Sequence, residues 1–221
     1  MIIRTAVFNS HGFRDSAGVF SAVDFPGGTR NQANGINTSG QIVGQYVDGS
    51  GTLHGYLESG GSFSTVDFPG GTGTLAFGVN ASGQVVGVYT DSSFNPHGFV
   101  HNVGSFSAID FPGATGTDAF GINVLGQIVG LYFDSTGSFR GFLDNGGSFS
   151  TIDFPGSRFT QADSINNSGY IVGVYTDMLG SQHGFLAAPV PEPNTLLLFG
   201  SGLACLRELW RRRRDKEPLT L

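Results

Sequence analysis

Cysteine is all but missing from this sequence. Cys205 is the one residue of its kind among 221, which excludes an intramolecular disulfide framework and a cysteine-based zinc site. The fold must be held by its own core, and an extracellular location stays open. Charge is scarce as well: 13% of residues are charged, about half the usual share. The first residues, MIIRTAVFNSHGF, contain no apolar run of signal-peptide length after Arg4. They pass directly into the repeat described below, and the expectation is a chain shortened at its start. No phosphate-binding Gly loop follows a strand and opens a helix.

The chain is rich where it is not poor. It holds 36 Gly and 20 Phe, and Gly exceeds twice its usual ~7%. Many Phe, Val and Ile beside many Gly predict short strands joined by tight turns. Apolar surface of this extent opposes disorder. The few charges are unevenly placed. Residues 1–191 hold five Arg against thirteen Asp and Glu, whereas residues 192–221 hold six basic and four acidic residues. An acidic body argues against nucleic acid as a partner. The basic cluster at the end suggests a membrane stop or an anionic surface.

A repeat of 43 residues organises the body. His-Gly-aromatic begins at His11, His54, His97 and His183, with Arg-Gly-Phe at Arg140. The VDFPG or IDFPG segment recurs with Asp24, Asp67, Asp110 and Asp153. Asn37, Asn80, Asn123 and Asn166 keep the same step, as do Tyr46, Tyr89, Tyr132 and Tyr175. No insertion interrupts the series, so each unit should follow one backbone path.

Each unit reads as four short strands: HGF-like, FSTVDF-like, one around Phe77–Asn80, and QVVGVY-like. Pro69-Gly70 stops the second, because Pro cannot continue a ladder and Gly supplies a turn. Gly44, Gly87, Gly130 and Gly173 sit mid-strand, where Gly marks close approach of a backbone or a bulky ring. Four short strands in about 43 residues fit one propeller blade. The expected fold is all-β, with β-propeller-like blades and a C-terminal hydrophobic helix; a β-solenoid or stacked sandwich is the alternative. Blades drawn from FSTVDF to the next HGF cover residues 18–57, 61–100, 104–143 and 147–186, with residues 1–14 a partial fifth.

The repeated polar residues each carry a structural and a functional reading. His11, His54, His97 and His183 could ring a metal, but Arg140 in the series cannot ligate one; a hydrogen bond repeated in every blade is the simpler role. Asp24, Asp67, Asp110 and Asp153 most simply accept turn amides. The turn residues Asp48, Asp91, Asp134 and Asp177 raise Ca²⁺, which wants 6–8 oxygen ligands, while each turn offers one carboxylate. The asparagines read as turn architecture. No blade carries its own acid, base and nucleophile, so no catalytic residue, metal ligand or cofactor site is assigned, with Ca²⁺ held as an alternative.

On HGF, DFPG, GIN..GQIVG and YxD, residues 11–188 resemble the HAF-type extracellular repeat of bacterial surface proteins. The ending VPEPNTLLLFGSGLACLRELWRRRR resembles a PEP-CTERM sorting signal: a Pro-Glu-Pro motif, a transmembrane stretch and an Arg cluster. The expected division is a repeat domain over 1–188 and a sorting or anchor segment over 189–221. The resemblance implies that an exosortase reads Pro191, Glu192 and Pro193, and that Arg211, Arg212, Arg213 and Arg214 stay on the cytoplasmic side of the inner membrane. From Pro193 to Leu206 there are 14 uncharged residues, against ~20 for a spanning helix. The span reaches Trp210 if Arg207 and Glu208 lie at the interface; an amphipathic helix closing the domain is the plainer alternative. Three functions follow. The first is a non-enzymatic cell-surface or matrix protein that meets extracellular polysaccharide. The second is a carbohydrate-active enzyme, which residues unique to one blade and facing a common channel would favour. The third is a Ca²⁺-dependent adhesion module.

Overall fold

The computed structural model describes residues 10–189, and every regular element in them is a β-strand. A hairpin of β1 (Gly12–Ser16) and β2 (Val19–Val23) comes first. Two four-stranded antiparallel sheets follow. One is β3 (Thr29–Ile36), β4 (Ile42–Val47), β5 (Leu53–Ser59) and β6 (Ser62–Val66). The next is β7 (Gly73–Val79), β8 (Val85–Thr90), β9 (Pro96–Asn102) and β10 (Ser105–Ile109). The same pattern gives β11 (Gly116–Ile122), β12 (Ile128–Phe133), β13 (Phe139–Asn145) and β14 (Ser148–Ile152). It ends with β15 (Phe159–Ile165), β16 (Ile171–Thr176) and β17 (Gln182–Ala187). A single parallel bridge, Phe139 to Phe159, joins these last two groups into one seven-stranded sheet. The expected C-terminal helix and the residues of the sorting motif lie outside the described residues, as do residues 1–9.

The blade boundaries differ from those drawn on the sequence. The FST-type strand pairs with the HGF-type strand before it, β6 with β5, β10 with β9 and β14 with β13. It does not open the next sheet. The reason is the turn: Gly60 and Gly61 have φ of 59° and 88°, the double positive φ of a two-residue hairpin whose twist matches its strands. The complete sheets are therefore residues 29–66, 73–109 and 116–152, and the partial ones are the β1–β2 hairpin and β15–β17.

Each sheet is covered by the next. Val43 of β4 packs with Ala76, Val79, Val85 and Phe99 of the following sheet. Val86 of β8 packs with Ala119, Ile122 and Phe142, and Val129 of β12 with Ala162 and Ile165. Phe99 and Phe142 are wholly buried, each contributing about 2–3 kcal/mol by transfer alone. Gly87 makes room for that ring: a Cβ there would lie 2.8 Å from Phe99 and also strike the Leu75 carbonyl.

A polar ladder runs beside this apolar one. Asn37 Nδ2 donates to Asn80 O at 2.9 Å, Asn80 to Asn123 O at 3.0 Å and Asn123 to Asn166 O at 3.2 Å. The same Asn37 closes its own turn, its Oδ1 accepting from Ser39 N and Gln41 N. One side chain thus fixes a turn and joins it to the next unit, which satisfies backbone groups that burial would otherwise strand.

Candidate functional site

The hairpin register brings the recurring charged residues together. Gly55 faces Val66 across β5 and β6, so the next pair outward is His54 with Asp67. Their Nδ1···Oδ2 distance is 2.7 Å. His11 meets Asp24 at 2.7 Å and His97 meets Asp110 at 2.8 Å. In the fourth unit Arg140 Nη1 donates to Asp153 Oδ2 at 3.1 Å. The turn aspartates approach from the other side: His54 Nε2 lies 3.3 Å from Asp48, His97 Nε2 3.5 Å from Asp91, and His183 Nε2 3.1 Å from Asp177. Arg140 Nε lies 3.5 Å from Asp134.

Three residue series that looked separate in the sequence thus meet as a trio in three units, Asp48–His54–Asp67, Asp91–His97–Asp110 and Asp134–Arg140–Asp153. The rings are held by stacking as well. Tyr89 lies 3.6 Å from Phe68 at 3° and 5.1 Å from His97 at 19°. Such contacts exceed simple area burial by about 0.5–1.5 kcal/mol. Tyr46 and Tyr175 repeat the arrangement with His54 and His183.

The expectation that the DFPG aspartates accept turn amides is corrected. The Phe N–H that follows each aspartate goes to another side chain: Phe68 N to Thr74 Oγ1 at 3.1 Å, Phe111 N to Thr117 at 3.0 Å and Phe154 N to Thr160 at 3.1 Å. Phe25 N uses Asn31 at 2.8 Å. The carboxylates meet the His and Arg series instead, and Asp153 also accepts from the Ser157 and Thr160 hydroxyls. These buried hydroxyls were missed in the sequence, although Thr at 74, 117 and 160 keeps the 43-residue step. A second missed set is Asp15, Glu58 and Asp144, which accept the N–H of Gly18, Gly61 and Gly147 in the hairpin turns.

The electrostatics follow from these partners. Burial works against the charge on His54, but Asp67 and Asp48 outweigh it and hold its pKa above the ordinary value. His97 is raised in the same way by Asp110 and Asp91. Ser50 and the Thr52 N–H hold Asp48 down to about 2. Asp91, Asp134 and Asp177 are also lowered, chiefly by Asn95 N–H, Thr136 hydroxyl and His183. Among the described residues, no cluster of three or more His, Cys, Asp or Glu has a metal-binding arrangement. Asp48 Oδ1 already accepts from Ser50 N, Ser50 Oγ and Thr52 N.

Two further breaks in the repeat symmetry bear on function. The first is the opening strand of each unit. Gln32, Leu75, Asp118 and Gln161 occupy one equivalent position, and Asn34, Phe77, Phe120 and Asp163 another. Asp163 accepts from Gln161 Nε2 at 2.6 Å. Asp118 is half-buried, and its Oδ1 is enclosed without a protein donor. Loss of water pushes its carboxyl up to about 6. The second break is a polar recess of about 280 Å³ lined by Ser138, Phe139, Arg140, Asp153, Ser157, Arg158 and Met178.

Similarity to known proteins is uneven along the chain. An arginine-to-alanine triple mutant of AofleA from Arthrobotrys oligospora aligns at 14% identity and TM-score 0.43, over 76% of this chain and 58% of that one. A point mutant of the Aleuria aurantia lectin, in complex with alpha-methyl-L-fucoside, aligns at 14% and 0.48, over 82% of this chain and 71% of that one. The same lectin with Fucalpha1-6GlcNAc gives 11% and 0.33, over 82% and 88%. The chain therefore spans less than two thirds of the first of these proteins. No curated protein matches it. Residues 189–214 match the PEP-CTERM protein-sorting motif, a signal that implies export and processing by an exosortase.

Proposed function

We infer that this is a non-enzymatic, exported bacterial repeat protein whose body serves at the cell surface or in the extracellular matrix. The sorting-motif match over residues 189–214 carries the reading. By it, an exosortase acts at Pro191-Glu192-Pro193, after the apolar segment that follows and Arg211–Arg214 have held the chain at the inner membrane. The body is then a HAF-type array of β-propeller-like blades. The 43-residue step and the recurring four-stranded sheets support this. Its repeated His, Asp and Asn residues spend their hydrogen bonds on one another, which favours an architectural role for them. Acidic, turn-rich surface suits contact with extracellular polysaccharide or neighbouring proteins.

The test is the intact mass of the native protein, taken separately from membranes and from medium. A shorter form in the medium, ending near Pro193, is the expected result. Full-length soluble protein in the cytoplasm would overturn the reading.

One observation favours the second reading, a carbohydrate-active enzyme. The opening strands differ from unit to unit, and Asp118 is a carboxyl held largely protonated below about pH 6. A general acid needs that property. Release of reducing ends from a polysaccharide, abolished by Asp118→Asn, would establish it over the first.

A further inference from the structure

The geometry points to a single binding site for a saccharide that carries an oxyanion, a carboxylate or a sulfate ester, in the recess between Arg140 and Arg158. This rests on the reading that the body meets extracellular polysaccharide, and it names the site and the kind of sugar.

Two departures from the repeat converge there. Arg140 stands where the other units have His11, His54, His97 and His183, and Arg158 stands where they have Thr29, Thr72 and Thr115. They lie 18 positions apart in sequence, yet line the same recess. Neither is needed by the fold. Histidine fills the first position elsewhere with the same carboxylate partners. Threonine fills the second, its hydroxyl bonding the end of the second strand, as Thr72 does to Thr90 O at 3.2 Å and Thr115 to Phe133 O at 3.3 Å. Arg158 keeps only the backbone part of that link, its N–H to Thr176 O at 2.8 Å.

The two arginines have different roles. Arg140 is clamped by Asp153 and Asp134, which neutralise it and fix its plane. Arg158 is exposed, and no ion pair or side-chain hydrogen bond holds its guanidinium among the described residues. It is the open donor fork, shaped for a planar or tetrahedral oxyanion. Around it stand the hydroxyls of Ser138 and Ser157, which bond Thr136 and Asp153 and keep acceptor capacity for a sugar hydroxyl. Phe139, 36% exposed, offers a ring to the C–H face of a pyranose. The two aspartates and the two arginines balance locally, and Arg158 is the member of the four that no carboxylate holds. Such a site selects one oxyanion on a sparsely charged glycan. A dense polyanion would meet the surrounding carboxylates within a Debye length of about 8 Å.

Calorimetric titration of the purified full-length protein tests this, with a galactose trisaccharide carrying one galacturonate, a monosulfated galactose trisaccharide and neutral galactotriose as probes. One acidic trisaccharide should bind per chain, weakening with salt, and neutral galactotriose should bind at least about tenfold less tightly. Arg158→Thr should lose about tenfold or more in affinity for the acidic probe while melting as the parent does. Arg140→His should weaken binding less. Preference between uronate and sulfate identifies the source of the oxyanion, and either supports the site. Equal affinity in the parent and Arg158→Thr would overturn it. So would binding of the neutral trisaccharide alone, a result that leaves the surface role standing. A cytoplasmic full-length protein in the mass experiment would remove the surface role independently.

Discussion

Replacing Asp118 with leucine should stabilise the protein, and by an amount that grows with pH. The equivalent position in the preceding unit is Leu75, so the backbone of this strand accepts the side chain. In the folded chain burial raises the Asp118 carboxyl from 3.8 to about 6. A carboxyl that binds its proton more tightly when folded strengthens the fold below its unfolded pKa. That contribution is lost as pH rises through about 6. Taking about 1.4 kcal/mol per pH unit, the ionised group costs about 3 kcal/mol above pH 7. Leucine removes that cost and the unpartnered Oδ1. A gain of about 3 kcal/mol corresponds to about 6–12 °C in melting temperature for a domain of this size. His54 and His97 also have raised values, so their stabilisation too is present below about 6.5 and fades above it. The informative quantity is therefore the difference between variant and parent. Thermal melts at pH 4, 5.5 and 7.5 should show that difference widening steadily with pH. Asp118→Asn, which cannot ionise but keeps an acceptor in place, should recover part of the gain. A difference that stays constant from pH 4 to 7.5 would refute the reasoning.

Two further predictions concern the backbone. Val103, at φ 44° in the β9–β10 turn and 92% exposed, occupies the place of Gly60 and Gly146. A β-branched residue is strained there by about 1–2 kcal/mol, so Val103→Gly should raise stability by about 1 kcal/mol after the flexibility of glycine is offset; a lower chemical-denaturation midpoint would contradict this. Gly87→Ala should do the opposite, since its methyl would strike the Leu75 carbonyl and the Phe99 ring. A loss of about 3 kcal/mol is expected from overpacking a closed core, and an unchanged melting temperature would show that the strand shifts freely.

The number of strands per unit and their turns could be read from the sequence because they depend on local signals: Pro-Gly stops, Gly-Gly turns and continuous apolar runs such as Val85–Val88. The grouping of strands into sheets could not. It turns on whether FST pairs backward or forward, which the φ values of Gly60 and Gly61 decide. The His and Asp series were visible separately. Their union depends on register, which places residue 54 opposite 67 and beside the Asp48 turn. Asp118 and Arg158 were passed over for a related reason. A search for what repeats discounts the residues that do not, and these departures carry the candidate chemistry.

The Asn ladder and the valines beside it have a consequence for how such a chain can change in length. The asparagine links from one sheet to its successor join equivalent positions, Asn37 to Asn80 and Asn80 to Asn123, so the junctions share this docking contact. Excising residues 73–115, one whole period, would bring Val43 against Ala119 and Asn37 against Asn123 with no new kind of contact. Unequal recombination within the gene could therefore add or drop a unit without passing through a misfolded intermediate. Length in this protein is a countable variable, and the unit that bears Arg140 and Arg158 is one bead on a string of interchangeable ones.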